Sequence, residues 1–222
     1  MDDITLVIPA KNEAESLPEV LDELLEYKIK KIVVIPIEDK ETREAIKKFD
    51  CKIISQEGKG FGNALIQGIN SVETKFFCIF NADGSFNPIY LSQLKDKVQL
   101  NHDFVFCSRY EAGGDSEDDT MLTYIGNKFF TGLCNLLFGL KITDVLFTYV
   151  MGSTKAFKEL NMSFNDFSFC IELPIKAKKK NFILGNLPSI ERSRIAGIKK
   201  VNEFRDGLLI LISILRLLIF KK

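Results

Sequence analysis

The chain has 222 residues, enough for one sizeable α/β domain with its own core. Its 30 Lys and Arg balance its 30 Asp and Glu, which lacks the basic bias of a nucleic-acid-binding protein, so no nucleic-acid partner is expected. The 5 cysteines (51, 78, 107, 134 and 170) show no C-x-x-C spacing, and His102 is the single histidine, so a zinc site is not expected and the cysteines read as buried, reduced thiols of a cytosolic protein.

The amino-terminal segment MDDITLVIPAKNE has no basic stretch followed by an apolar one, so no signal peptide is expected. The run 4–9 is a short buried strand ended by Pro9. Residues 15–27 then place Leu17, Val20, Leu21, Leu24 and Leu25 at helical spacing. Strands are expected at 31–37, 51–55, 75–80 and 103–109. Helices are expected at 40–49, 58–72 and 87–100, the last with Pro88 near its start. This alternation predicts a doubly wound, mostly parallel sheet with helices on both faces. Ligands of such sheets bind beyond the carboxyl ends of the strands.

The second half differs in character. Residues 111–120, EAGGDSEDDT, read as a mobile acidic loop, and 121–140 as a long apolar helix rich in aromatics. A strand or loop running into a helix is expected over 144–157. A helix follows at 169–181, kinked or started by Pro174, then a strand at 182–190 and a last helix over 202–220. The apolar part of that helix, Leu208 to Phe220, is about 13 residues, short of the roughly 20 that span a bilayer. It is expected to dock on the domain or to lie at an interface.

Five stretches have the composition of a binding site. VIPAKNEAES (7–16) ends a strand in a polar loop, where backbone groups and Glu13 can meet a nucleotide. GKGFGNAL (58–65) has glycines that let a ligand approach closely, Lys59 for a phosphate, and a helix amino end that favours anions. NADGS (81–85) follows a strand and offers Asp83 to a divalent metal, with Asn81 able to add a neutral oxygen; an Asx turn explains the same residues. CSRYEAGG (107–114) presents Arg109 at a strand end, suited to oxyanions. ERSRIAGIKK (191–200) carries Arg192, Arg194, Lys199 and Lys200 around a glycine, and could equally be a solvated charged loop.

Taken in order, VIPAKNEAESLPEVL, GKGFGNALIQGI, NADGS, SRYEAGG, ITDVLFTYVMGSTKAF and ERSRIAGIKKVN resemble the family-2 glycosyltransferases of GT-A fold, in the branch of dolichol-phosphate mannose synthase and bacterial polyprenyl-phosphate glycosyltransferases. The resemblance covers residues 4 to about 205. It implies a GT-A, Rossmann-like, mixed but mostly parallel sheet flanked by helices over 1–205, with 206–222 as a docking or membrane-peripheral apolar helix. Pro9, Ala10 and Glu13 would contact the nucleotide, and Gly58, Lys59 and Gly60 would lie near its base or phosphates. Asn81 and Asp83 replace the family's Asp-x-Asp, with Asp83 on a Mg²⁺ or Mn²⁺ ion. Arg109 would face a donor or acceptor phosphate. Arg194 and Lys200 match the family's late R-x-x-G-x-S-K pattern, with Lys199 in place of its Ser.

The implied reaction moves a sugar from a nucleoside diphosphate sugar, with inversion, to a polyprenyl phosphate. That acceptor is already an anion and needs no base. A glycan or soluble hydroxyl acceptor would need one, for which Asp144 and Glu172 are the candidates. A third reading is a silent domain that binds a nucleotide sugar or a partner. Two departures bear on the donor side: Asn81 replaces the first Asp, and Pro36 and Ile37 stand where the second strand's acids are expected, unless Glu38 or Asp39 replaces them. The apolar stretches 121–140 and 207–220 suit peripheral attachment to the cytoplasmic face of a membrane, packing against each other, or contact between two copies.

Overall fold

In the computed structural model, residues 1–196 and 203–219 are described. The five apolar runs of the first half form β1 (Ile4–Pro9), β2 (Lys30–Pro36), β3 (Lys52–Gln56), β4 (Phe76–Ile79) and β5 (Phe104–Ser108). The first four helices are α1 (Leu17–Glu23), α2 (Lys40–Ala45), α3 (Phe61–Asn70) and α4 (Tyr90–Gln99). The second half contributes β6 (Asp115–Ser116), α5 (Met121–Phe138), β7 (Val150–Ser153), α6 (Thr154–Glu159), α7 (Phe169–Lys179), β8 (Leu184–Pro188), β9 (Ile190–Glu191) and α8 (Glu203–Ile219).

Seven strands form one sheet in the order β3-β2-β1-β4-β7-β5-β8. All its pairings are parallel except the two made by β7, which is antiparallel to β4 and to β5. The carboxyl ends of β1 to β5 and β8 therefore share one edge, and the segment entering β7 reaches that edge from the opposite direction. Both faces of the sheet are buried, which explains runs such as Ile4–Ile8 and Phe76–Ile79 with no polar alternation.

Local chemistry sets the element ends. Pro18 sits in the first turn of α1, and Lys28 adopts a left-handed φ of 46°, so that helix is shorter than expected and leaves Leu25 exposed. Asp39 caps α2 by accepting from the Thr42 amide. Thr120 and Thr123 form a reciprocal capping box at α5, and Gly139 ends that helix in the left-handed region. Pro174 lies inside α7 rather than starting it.

The stretch 111–120 is pinned rather than loose. β6 pairs with β9 in a second, two-stranded sheet, and the Glu117 amide bonds the Glu191 carbonyl. The last helix packs against α7 and α5. Ile210, Ile214 and Leu217 enter the core, Ser213 Oγ donates to Ser168 Oγ at 3.0 Å, and Lys179 reaches the Leu217 carbonyl. No helix among the described residues is long and apolar enough to cross a membrane.

Candidate active site

A cleft of about 1230 Å³ opens along the carboxyl edge of the sheet. The ends of β1, β2, β3, β4 and β5 all reach it, through Pro9, Pro36, Gln56, Asn81 and Arg109. At the β1 end it is lined by Pro9, Ala10 and Glu13. The Glu13 amide donates to Thr42 Oγ1 at 2.9 Å, and its carboxylate accepts from Ser16 Oγ at 2.8 Å. Asp39 is bound to structure: it holds the Asn12 and Thr42 amides and is buried. The residues at the β2 end that line the cleft are Pro36 and Glu38. Of the two acids that could replace the missing pair, only Glu38 meets the cleft.

Gly58, Lys59 and Gly60 line the cleft, and Gly60 also serves packing. Gly60 has a φ of 101°, and a Cβ there would stand 2.2 Å from the Asn165 carbonyl oxygen. The Asn63 amide, in the first turn of α3, donates to that same oxygen at 3.0 Å. The chain segment before α7 thus occupies part of the helix amino end that the sequence offered to an anion.

The NADGS turn forms the sharpest polar corner. Asn81 Nδ2 donates to Ser85 Oγ at 3.1 Å, and Ser85 Oγ donates to Asp83 Oδ1 at 2.7 Å. The Ser85 amide also donates to Asp83 Oδ1. Asn81 can feed this relay because it is a donor; an Asp there would compete with Asp83 for the same hydroxyl hydrogen. Asp83 Oδ2 faces Arg194 Nη1 at 3.8 Å. Arg194 also places Nη2 2.9 Å from Asp118 Oδ2. Burial works against the Arg194 charge, but Asp118 and Asp83 outweigh it and hold the guanidinium protonated. Its neighbour Arg192 is a brace: it grips Glu23 at 2.7 and 2.9 Å and bonds the Gly84 and Phe86 carbonyls.

Arg109 lines the cleft but does not present a free fork. Its Nε and Nη2 donate to Asp144 at 2.7 and 3.1 Å, and its Nη1 donates to Glu191 at 3.1 Å and reaches Asp119 at 3.4 Å. Its guanidinium lies 4.6 Å from the Phe147 ring centroid. Burial opposes its charge, and Asp144 and Glu191 more than offset that. Burial also raises the Glu191 carboxyl above its ordinary value, against the pull of Arg109 and Ser116. Cys170 lines the cleft as a neutral thiol, pushed up to about 12 by burial.

The two candidate bases lie elsewhere. Asp144 is fully buried beneath Arg109. Glu172 is fully buried too, accepting from the Ser163 amide and hydroxyl and the Phe164 amide, with Lys176 at 2.7 Å. Neither lines the cleft. An internal carboxylate with every oxygen committed has no route to a substrate hydroxyl, so geometry does not support a base role for either. Lys200 lies outside the described residues.

The acids that do line the cleft beside Arg194 and Arg109 are Asp118, Asp119 and Glu191, which sequence reasoning did not single out. They arrive through the β6–β9 pairing. The only available signal was the acidic run DSEDD set against the basic ERSR run. The same lining also includes the apolar Leu122 and Phe130 of α5, Leu209 and Ile210 of α8, and Leu146, beside the polar Thr123 and Asn127 of α5 and Arg205 and Asp206 of α8.

Among the described residues no group of three or more His, Cys, Asp or Glu side chains is arranged to hold a metal. The corner still fits Mg²⁺ or Mn²⁺, because such ions commonly take one or two carboxylates and complete their shell with phosphates and water. Asp83 would supply the carboxylate, with one oxygen oriented by Ser85 and the other toward Arg194.

The family model described as glycosyl transferase family 2 matches residues 5–161. Glycosyltransferase AglJ of Haloferax volcanii is 20% identical over 218 residues, which cover 97% of this chain and 72% of that one. The dolichyl-phosphate hexose transferase of the same organism is 23% identical over 209 residues, covering 93% of this chain and 90% of the relative. Among solved structures, glucosyl-3-phosphoglycerate synthase from Mycobacterium tuberculosis, in complex with Mn²⁺, uridine-diphosphate and phosphoglyceric acid, matches with a TM-score of 0.77 at 14% identity, over 98% of this chain and 78% of that one. The shared architecture is the GT-A fold.

Proposed function

Because the chain belongs to glycosyl transferase family 2 and is a glycosyltransferase, we propose that it moves a sugar from a nucleoside diphosphate sugar to a polyprenyl phosphate. The observation that carries this reading is the mixed lining of a single cleft, where Asp83, Arg194 and Arg109 stand among the apolar residues Leu122, Phe130, Leu209 and Ile210. An acceptor that joins a phosphate to a hydrocarbon chain suits such a lining. The likeness to a dolichyl-phosphate hexose transferase supports the same acceptor class.

The nucleotide rests near Pro9, Ala10, Glu13 and the Gly58–Gly60 turn, with its diphosphate toward Asp83. A Mg²⁺ or Mn²⁺ ion bound at Asp83 would offset charge on the departing diphosphate. Arg194 is the shared cation of the corner, dividing its charge between Asp83 and Asp118 and able to turn it to a phosphate. Arg109, locked by Asp144, holds the walls of the cleft in register. An acceptor phosphate oxygen forms the bond to the anomeric carbon as the bond to the diphosphate breaks, and the diphosphate leaves with the electron pair. One displacement inverts that carbon. No general base is needed, in keeping with the commitment of Asp144 and Glu172 to structure. The apolar residues that α5 and α8 expose, Phe129, Leu136, Phe204 and Leu208 among them, would hold the protein at the membrane surface where such an acceptor resides.

The donor half is tested by melting the protein with a panel of nucleoside diphosphates, with and without Mn²⁺. A ligand that binds only the folded state raises the melting temperature. At least one diphosphate should do so, and more strongly with Mn²⁺. No shift with any diphosphate under either condition would sink the reading.

A further inference from the structure

The segment that crosses the amino end of α3 also builds one wall of the cleft. Glu172, fully buried in α7, holds that segment by accepting from the Ser163 amide at 2.9 Å, the Ser163 hydroxyl at 2.7 Å and the Phe164 amide at 2.8 Å. The segment packs tightly on α3: a Cβ on Gly62 would stand 2.2 Å from the Phe164 carbonyl oxygen, as one on Gly60 would from that of Asn165. The residues that follow, Asp166 and Phe167, line the cleft. The Phe167 ring stacks on that of Phe61, with centroids 5.0 Å apart and an interplanar angle of 21°, and Phe61 lines the cleft beside it. Asp166 Oδ1 accepts from the Ser168 amide at 2.8 Å, which orients the carboxylate. Its other oxygen has no donor among the described residues.

This wall differs in chemistry from the charged corner. Asp118, Asp119 and Glu191 are each engaged by an arginine, whereas no arginine or lysine among the described residues pairs with Asp166. A carboxylate accepts hydrogen bonds and donates none, so it favours a ligand rich in hydroxyls and disfavours an anion. Aromatic rings offer an apolar face to a ring-shaped ligand. A hexopyranose meets both demands, with hydroxyls on its rim and C–H groups on its faces. We propose that Asp166, Phe167 and Phe61 form the subsite for the donor's sugar, with Asp166 accepting from its hydroxyls, and that the sugar transferred is an uncharged hexose. The inference rests on the nucleotide-sugar reading and names the sugar class of that donor. Phe61 directly follows the Gly58–Gly60 turn beside which the nucleotide rests, so a sugar borne by the same diphosphate has this wall within reach. Glu172 is then a positioning residue, acting through the segment it holds. A nucleobase stacked on the same rings is the competing occupant, and experiment separates the two.

The test is titration calorimetry on the full chain with Mn²⁺ and without acceptor. The ligands are the nucleoside diphosphate that raises the melting temperature most, its glucose and mannose conjugates, and the matching uronate conjugates. The readout is the affinity of each conjugate divided by that of the bare diphosphate. In wild type this ratio should be higher for at least one uncharged hexose than for its uronate. Asp166→Asn keeps an acceptor for the Ser168 amide, and it should lower the ratio for that hexose about tenfold, the size of a lost hydrogen bond to a charged group. Phe167→Leu keeps an apolar side chain without the ring and should lower it as well. Affinity for the bare diphosphate should stay within about twofold of wild type in both variants, which also reports that they fold. An unchanged ratio in Asp166→Asn overturns the subsite. A loss in Phe167→Leu shared equally by the bare diphosphate gives the rings to the base and overturns it too, as does a wild-type preference for the uronate. If wild-type protein binds no bare diphosphate, the donor reading itself fails, and that failure is visible without any variant.

Discussion

The Arg194 guanidinium stands 3.8 Å from the Asp83 carboxylate, as a resident counter-charge at the corner suited to a divalent cation. Two positive charges cannot share that carboxylate without cost. At this separation the interaction is worth roughly 1–4 kcal/mol between the bulk-water and near-surface limits. Arg194→Met should therefore tighten Mn²⁺ binding several-fold in the absence of nucleotide, while slowing transfer. Electron paramagnetic resonance of free Mn²⁺ checks this, and weaker binding in the variant would mean that Arg194 builds the site rather than guards it.

Asp83 is the one carboxylate of the NADGS turn. Asp83→Asn keeps the shape and an acceptor for Ser85 but removes the charge. Charge stabilisation of several kcal/mol by a bound metal corresponds to about 100-fold or more in rate. The variant should lose at least that much transfer and also lose the Mn²⁺-dependent part of the nucleotide thermal shift. Full activity in Asp83→Asn would place the metal elsewhere.

Asp144 holds Arg109 in the interior, so Asp144→Asn should act on stability. Breaking a buried ion pair costs about 3–5 kcal/mol, and the remaining partners Glu191 and Asp119 keep the loss near the lower figure. Urea denaturation measures it. A variant that melts normally but transfers no sugar would instead make Asp144 a catalytic base.

Glu191 gives a pH signature. Burial raises its folded-state value, so its protonated form favours the fold. That contribution is complete below the ordinary glutamate value of about 4.3 and is lost as pH climbs through the raised one. Glu191→Gln lacks this dependence. The stability margin of wild type over the variant should be largest near pH 4 and shrink toward pH 7 in paired melting curves. A margin that widens toward pH 7 would mean that pairing with Arg109 outweighs burial.

Gly60 combines a positive φ with a carbonyl 2.2 Å from any added Cβ. Gly60→Ala should cost about 1–3 kcal/mol from the backbone strain alone, with the clash against Asn165 added. Gly126→Ala, in an open helical position, should instead leave stability equal or raise it by up to about 1 kcal/mol. Calorimetric melting of the two variants separates a glycine required by packing from one that packing does not require.

Much of the fold can be read from residue pattern. Fully apolar runs such as ITLVIP and KFFCIF announce strands buried on both faces, and the intervening helical spacings account for the parallel half. The reversal at β7 was not legible, because the four residues VMGS carry no signal of direction. Pro9, Glu13, Asp83 and Arg194 line the cleft. The burial of Asp144 and Glu172 was not legible, because it depends on distant partners, Arg109 in one case and the Ser163–Phe164 turn in the other. Asp118 and Glu191 were missed for a related reason. They meet only through the pairing of two-residue strands some 75 positions apart, which leaves no local periodicity. Gly58 and Gly60 looked like a phosphate loop, yet Gly60 is also demanded by the passage of Asn165.

The central claim is tested most directly by transfer itself. The protein is incubated with Mn²⁺, undecaprenyl or dolichyl phosphate, and a series of nucleoside diphosphate sugars carrying radiolabel in the sugar. The account predicts label in the organic extract for at least one donor, dependent on Mn²⁺ and lost in Asp83→Asn. Label found only in water-soluble acceptors, or no transfer from any donor, would contradict it.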